Sequence, residues 1–130
     1  MAAAPLIAES IGERERPMTQ SIWTRLDTLT PGQIEKLLEK LRVTTQEVLV
    51  GRLAREGISQ GELASRVGRS SSWTSKIKKL DAYDLMSIGL FGAGVGIKLS
   101  DAVTIAEEVI DAELDRGIFT IDDEAPESQV

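Results

Sequence analysis

Four serines stand within six residues, at Ser70, Ser71, Ser72 and Ser75, and three lysines follow at Lys76, Lys78 and Lys79. Gln60 and Arg69 come shortly before them. Serines at this density offer two kinds of chemistry. One is nucleophilic and needs a base to take the hydroxyl proton. The chain has no histidine, so a histidine-based triad and a histidine zinc site are out of reach. A lysine such as Lys76 is the remaining activator in principle. The carboxylates fall on expected helix surfaces, where solvation accounts for them. No enzyme activity, no catalytic residue and no cofactor is therefore expected. The other chemistry is hydrogen bonding. A hydroxyl both donates and accepts, and beside cations it suits a surface that carries phosphates and polar edges.

The charge is distributed to match. The whole chain carries −6, but Arg52 to Lys79 holds seven basic residues against two acidic ones, a local +5. Residues 81–130 hold twelve acids and two bases, a local −10. A basic segment inside an acidic protein is the footprint of a localised phosphate contact. The absence of cysteine excludes a disulfide scaffold and thiolate metal sites, and it fits a cytoplasmic protein. No apolar run approaches the roughly 20 residues that span a membrane, and no basic flank marks a secretory signal at the N-terminus. No membrane partner is expected.

The elements that position these residues are all helical in expectation. Residues 1–20 read as a flexible arm. A helix from about Ser21 has Ile22, Trp23, Leu26 and Leu29 as its apolar set. Thr30, Pro31 and Gln33 start the next, with Ile34, Leu37, Leu38 and Leu41 at helical spacing. Thr44 and Glu47 look like a further capping box, opening a separate helix with Val48, Leu49, Leu53 and Ala54 inward and Gly57 at its end. Ser59 and Glu62 form another box, and Leu63 and Val67 share a face. Gly68 ends that helix. Ser70 caps the next, with Ile77 and Leu80 inward and Thr74 as a weaker third member. Asp81 is placed to cap a short helix with Tyr83, Leu85, Met86 and Leu90. Gly92 to Gly96 has some look of a phosphate-cradling loop. No strand leads into it and no Lys-Ser/Thr pair follows, so residues 92–98 read as a glycine-rich connection. Ser100 caps a last helix within 99–117, whose stripe is Val103, Ala106, Val109, Ile110 and Leu114. Residues 118–130 form an acidic tail.

The stretch from Gly57 to Leu80 resembles the helix-turn-helix of the lambda-repressor/Cro class. The residues that carry this are Ile58-Ser59-Gln60, Glu62-Leu63-Ala64, Val67-Gly68, and Ser70 through Ile77. The segment Gly68 to Trp73 is also similar to the same motif in ParB-type partition proteins, where a basic residue follows the turn glycine. The resemblance covers roughly 35 of the 130 residues. Arg69 and Thr74 depart from the repressor pattern, which often has apolar residues there. The resemblance implies an all-α bundle over 21–91 whose helix 70–80 enters the major groove of double-stranded DNA. In it Gln60 touches a phosphate, Ala64 packs where the helices cross, and Ile77 is a buried anchor. On the outward face Ser71, Ser72, Ser75 and Lys76 are the candidates for base edges, and Gln60, Arg69, Lys78 and Lys79 those for phosphates. Trp73 is expected to pack rather than lie along the backbone. The function implied is that of a transcriptional repressor of phage or bacterial type, acting at the nucleoid. Such proteins usually bind as dimers, and the last helix is the dimerisation candidate, with closure of the chain's own core as the competing use of its stripe. A different class is also open: an antitoxin or regulatory adaptor that binds a basic protein partner through its acidic C-terminal half.

Overall fold

Thr30 and Gln33 start the longest helix by satisfying each other. The Thr30 hydroxyl accepts from the Gln33 amide at 3.1 Å, and the Gln33 side-chain oxygen accepts from the Thr30 amide at 2.9 Å. Pro31 occupies the first helical position, where no amide is needed. In the computed structural model, which describes residues 21–122 apart from the Ile77 side chain, this helix is α1, Pro31–Glu56. The expected arm over 1–20, the last eight residues of the tail and the Ile77 side chain lie outside the described part. Four helices follow: α2 (Gln60–Val67), α3 (Ser71–Lys78), α4 (Leu85–Gly94) and α5 (Leu99–Asp115). Among the described residues there is no strand, and the fold is all-α.

The structure corrects the sequence reading at several helix boundaries. The separate helix expected at Thr44 does not begin there; α1 runs straight through. Thr44, Thr45 and Gln46 are buried, and the Thr45 hydroxyl donates back to the Leu41 carbonyl at 2.7 Å. Burial of this face outweighs the weak helix propensity of paired threonines. The helix expected from Ser21 is instead two short 3-10 turns, Ile22–Thr24 and Leu26–Thr28. Its donors are drawn across to α5: Ser21 Oγ and the Ile22 amide reach Asp111 at 2.9 and 3.3 Å, and the Trp23 indole donates to the Glu107 carbonyl at 3.2 Å. Asp84, not Asp81, caps α4, accepting from the Ser87 amide at 2.9 Å. Tyr83, Leu85 and Met86 are consequently exposed rather than inward. Finally, α5 starts one residue before Ser100, because Leu99 packs into the core.

At about 1.5 Å per residue α1 is about 39 Å long, and it serves two cores, one at each end. Toward its start Leu37 meets Ile22, Ile110 and Ile121, flanked by Trp23, Leu26, Leu29, Leu41, Leu114 and Phe119. Toward its end Leu49 and Leu53 meet Leu63, Ala82, Ile88, Phe91, Val95 and Ala102. Helix α5 lies along α1 and joins both. Its Ala102, Ala106 and Ile110, four residues apart, have no exposed surface. Of the expected stripe, Val109 is exposed and Val103 and Leu114 are half-buried.

Gly92 and Gly94 belong to α4, so only the residues after them form a connection. Both are packing positions. A methyl on Gly92 would stand 2.8 Å from the Ile97 carbonyl oxygen, and one on Gly94 would collide with the Leu63 side chain. This lets α4 press against α2 and the following loop fold back on it. Gly51, in the middle of α1, faces open space. Gly92→Ala should therefore lower stability by about 1–3 kcal/mol through overpacking. Gly51→Ala should raise it by about 0.5–1 kcal/mol, because alanine loses less backbone entropy in a helix. Urea melts of the two variants, compared with the parent, check the pair of signs.

Candidate nucleic-acid interface

The segment that carries the candidate residues is built from three helix ends of one design. At Gly57 and Gly68 the backbone turns left-handed, with φ of 67° and 68°. The next amide then reaches back to close the helix: Ile58 to Leu53 at 3.3 Å, and Arg69 to Ala64 at 2.8 Å. Helix α3 ends the same way. Leu80 takes the left-handed position at φ 62°, and the Asp81 amide donates to the Lys76 carbonyl at 3.0 Å. A leucine there is strained by about 1–2 kcal/mol, so something must hold it.

The hold comes from α1. Arg42 Nη1 donates to the carbonyls of Leu80 and Ala82 at 2.9 and 3.0 Å. Gln46, wholly buried, pairs with both backbone groups of Ala82. Its Nε2 donates to the Ala82 carbonyl at 2.6 Å, and its Oε1 accepts from the Ala82 amide at 3.2 Å. Arg42 is itself steadied by Glu39 and lies 4.0 Å over the Tyr83 ring. The hydrogen bond from Arg42 holds the Glu39 carboxyl below its usual range. That contribution is present at neutral pH and is lost as pH falls through the lowered value. These anchors keep residues 80–82 out of a helix, which is why Asp81 caps nothing.

Helix α2 begins at Ser59, whose hydroxyl accepts from the Glu62 amide at 3.0 Å. The Glu62 carboxylate does not complete the expected box. It pairs with Arg66 at 2.8 Å, and Arg66 also donates to the Gly94 carbonyl at 2.8 Å. Leu63 and Ala64 are buried beneath. At the start of α3, the Ser70 hydroxyl accepts from the Trp73 amide at 3.4 Å and lies 3.0 Å from the Ser72 hydroxyl. Thr74 has no exposed surface, and its hydroxyl donates to the Ser71 carbonyl at 2.8 Å. A threonine thereby fills an apolar position with its polar atom already satisfied. Trp73 packs, as its neighbours show. The ring tilts against Phe91 at 6.3 Å, and the indole donates to Ser87 Oγ at 3.2 Å.

What α3 turns outward is polar and basic. Ser71, Ser72 and Lys76 are exposed, and Ser75 is half-buried. Arg69, Lys78 and Lys79 are exposed, and Gln60, across the turn, is half-buried. Two arginines of the basic segment are engaged elsewhere: Arg52 with Glu56 at 3.4 Å and Arg66 with Glu62. Arg55, Arg69, Lys76, Lys78 and Lys79 form no salt bridge with any described residue. The cations therefore divide into two that pair with glutamates of their own helices and five that face solvent.

Sequence reasoning missed Arg42 and Gln46. One signal existed: Arg42, Gln46, Leu49 and Leu53 fall on one helical stripe, so two polar residues continue an apolar face. Among the described residues no single helix is long and apolar enough to cross a membrane. Comparisons with protein-family models, with curated proteins and with solved structures find no match to this chain.

Removing the Gln46 amide strands the buried Ala82 amide and leaves the Ala82 carbonyl with Arg42 alone. Gln46→Ala should cost about 1–3 kcal/mol from the unpaired group. Gln46→Glu keeps the size and tests the pairing. Its carboxyl donates to Ala82 only when protonated, and burial favours that form. The deficit of Gln46→Glu should be small near pH 4 and grow toward pH 7, against an ordinary glutamate value of about 4.3. Thermal melts across that range measure it, and a pH-independent deficit would mean that the amide merely fills space.

Proposed function

We propose that this protein is a sequence-specific double-stranded DNA-binding regulator, a repressor of the lambda-like helix-turn-helix kind. Helix α2 supports the turn and α3 enters the major groove. The observation that carries this is the division of α3 into two faces. One face, Trp73 and Thr74, is used in packing. The other presents short hydroxyls and cations that form no salt bridge with a described residue. Short serines let the backbone of α3 approach base edges closely, and Lys76 can reach guanine acceptors. Arg69 before the helix and Lys78 and Lys79 at its end are spaced to meet phosphates along the groove wall. The acidic α5 lies along α1, and its charge favours an orientation away from the duplex.

Selection of bound sequences from a random duplex pool is the direct test, and enrichment of a defined motif is the expected outcome. Binding should weaken steeply with salt. Arg55, Arg69, Lys78 and Lys79 together supply about 4 phosphate contacts per protomer, each contributing a slope of about −0.9 in log affinity against log salt. Lys79→Ala should reduce that slope by about one and weaken all sequences alike. Ser72→Ala and Lys76→Ala should instead change which sequences bind, at about 1–3 kcal/mol on the best site. Neither should shift the melting temperature, because both side chains are exposed. A salt-independent affinity, or a pool that returns no motif, refutes the reading.

A further inference from the structure

Helix α3 has eight residues and spans about 12 Å, and its two ends are held by different means. The end that carries Ser71 and Ser72 is held by side chains. Trp73 leans on Phe91 and donates to Ser87, and Thr74 is wholly buried. At the other end Lys76, Lys78 and Lys79 all point into solvent. There the backbone is held instead. The Lys76 carbonyl accepts from the Asp81 amide at 3.0 Å, which requires Leu80 at φ 62°. Leu80 is the one residue other than glycine in that conformation among the described residues. A leucine does not choose it unaided.

Gln46 supplies the restraint, from 36 residues away. Its side-chain amide binds both the N–H and the carbonyl of Ala82, two residues past Leu80. Arg42 adds bonds to the Leu80 and Ala82 carbonyls but leaves the Ala82 N–H to Gln46. Gln46 has no exposed surface, so it cannot meet DNA itself. We propose that Gln46 is a positioning residue for base readout. Through Ala82 and Leu80 it sets where the Lys76 end of α3 lies in the groove, and so which base Lys76 reads. The proposal rests on α3 entering the major groove. A displacement of about 1 Å takes a hydrogen bond from about 2.9 Å past its useful range. Discrimination at the base met by Lys76 therefore depends on a side chain buried beneath the helix exit. The bases met by Ser71 and Ser72 do not depend on it, because Trp73 and Thr74 hold that end.

The test is selection from a random duplex pool with the full chain and four variants: Gln46→Met, Lys76→Ala, Ser72→Ala and Leu37→Ala. Methionine fills the space of glutamine without its donor and acceptor and without charge. Gln46→Met should lose preference at the base positions that Lys76→Ala erases, on the order of tenfold. It should keep the positions that Ser72→Ala erases. Loss of stability alone cannot produce this pattern, because a smaller folded fraction weakens binding to every sequence by the same factor. Leu37→Ala, in the core at the other end of α1, is the control. It should lower the melting temperature and leave every position of the motif intact. If Gln46→Met does not fold, Arg42→Lys takes its place. It keeps the charge but cannot hold Glu39 and two carbonyls together, and it should blur the same positions. Unfolding of both overturns the proposal, since the link would then support the whole fold rather than the setting of α3. An unchanged Gln46→Met motif, a loss spread evenly over all positions, or a Lys76→Ala motif equal to that of the parent also overturns it. A parent chain that returns no motif removes the DNA-binding reading and this proposal together. A parent motif that Gln46→Met leaves intact removes this proposal alone.

Discussion

Gln46 and Ala82 are 36 residues apart and joined by two hydrogen bonds that no water can replace. A buried backbone amide and carbonyl that lose their partners cost more than an ordinary hydrogen bond returns. The side-chain amide of glutamine matches them because it carries one donor and one acceptor in a plane. Arg42 adds two further bonds one helical turn away. Together they fix residues 80–82 outside a helix, hold Leu80 in its left-handed conformation, and end α3 at Lys78. The outward face of α3 is aimed from α1 by this link. Without it α3 would still be held by Trp73 and Thr74, but its exit and the start of α4 would be undetermined.

The remaining packing follows from where small residues permit close approach. Ala102 and Ala106 let α5 lie along α1, and Gly92 and Gly94 let α4 reach Leu63. These contacts put two hydrophobic cores on one long helix, so a chain with few aromatic residues still buries Leu37, Leu49, Leu53, Leu63, Ile22, Ile88, Ile110 and Phe91. The two short helices α2 and α3 bury little by themselves. Their order is imposed by Leu63, Ala64, Trp73 and Thr74 against the frame of α1 and α4.

Electrostatics is organised on the same plan. Arg42, Arg52 and Arg66 are each paired with a glutamate three or four residues away on the same helix. Arg42 and Arg66 also donate to backbone carbonyls of the segments they brace. Their charge is thereby neutralised locally, while their donors tie them to the backbone of neighbouring segments. Four cations that form no salt bridge with a described residue, Arg69, Lys76, Lys78 and Lys79, fall in or beside α3.

The sequence alone determined the features that depend on a few adjacent residues. The caps at Thr30 and Ser59, the helix ends at Gly57 and Gly68, and the helical type of every major element can be read from local rules. So can the polar, basic character of the outward face of α3. Tertiary structure decided what local rules leave balanced. Thr44 and Glu47 read as a helix start, but burial of Gln46 made them the interior of α1. Glycines 92 and 94 read as a flexible connection, but contact with Ile97 and Leu63 made them packing surfaces. Leucine 80 read as a core residue of a helix, but hydrogen bonds from Arg42 made it the helix end. In each case the deciding partner lies far along the chain. A partner worth several kcal/mol overrides propensities that differ by less than one.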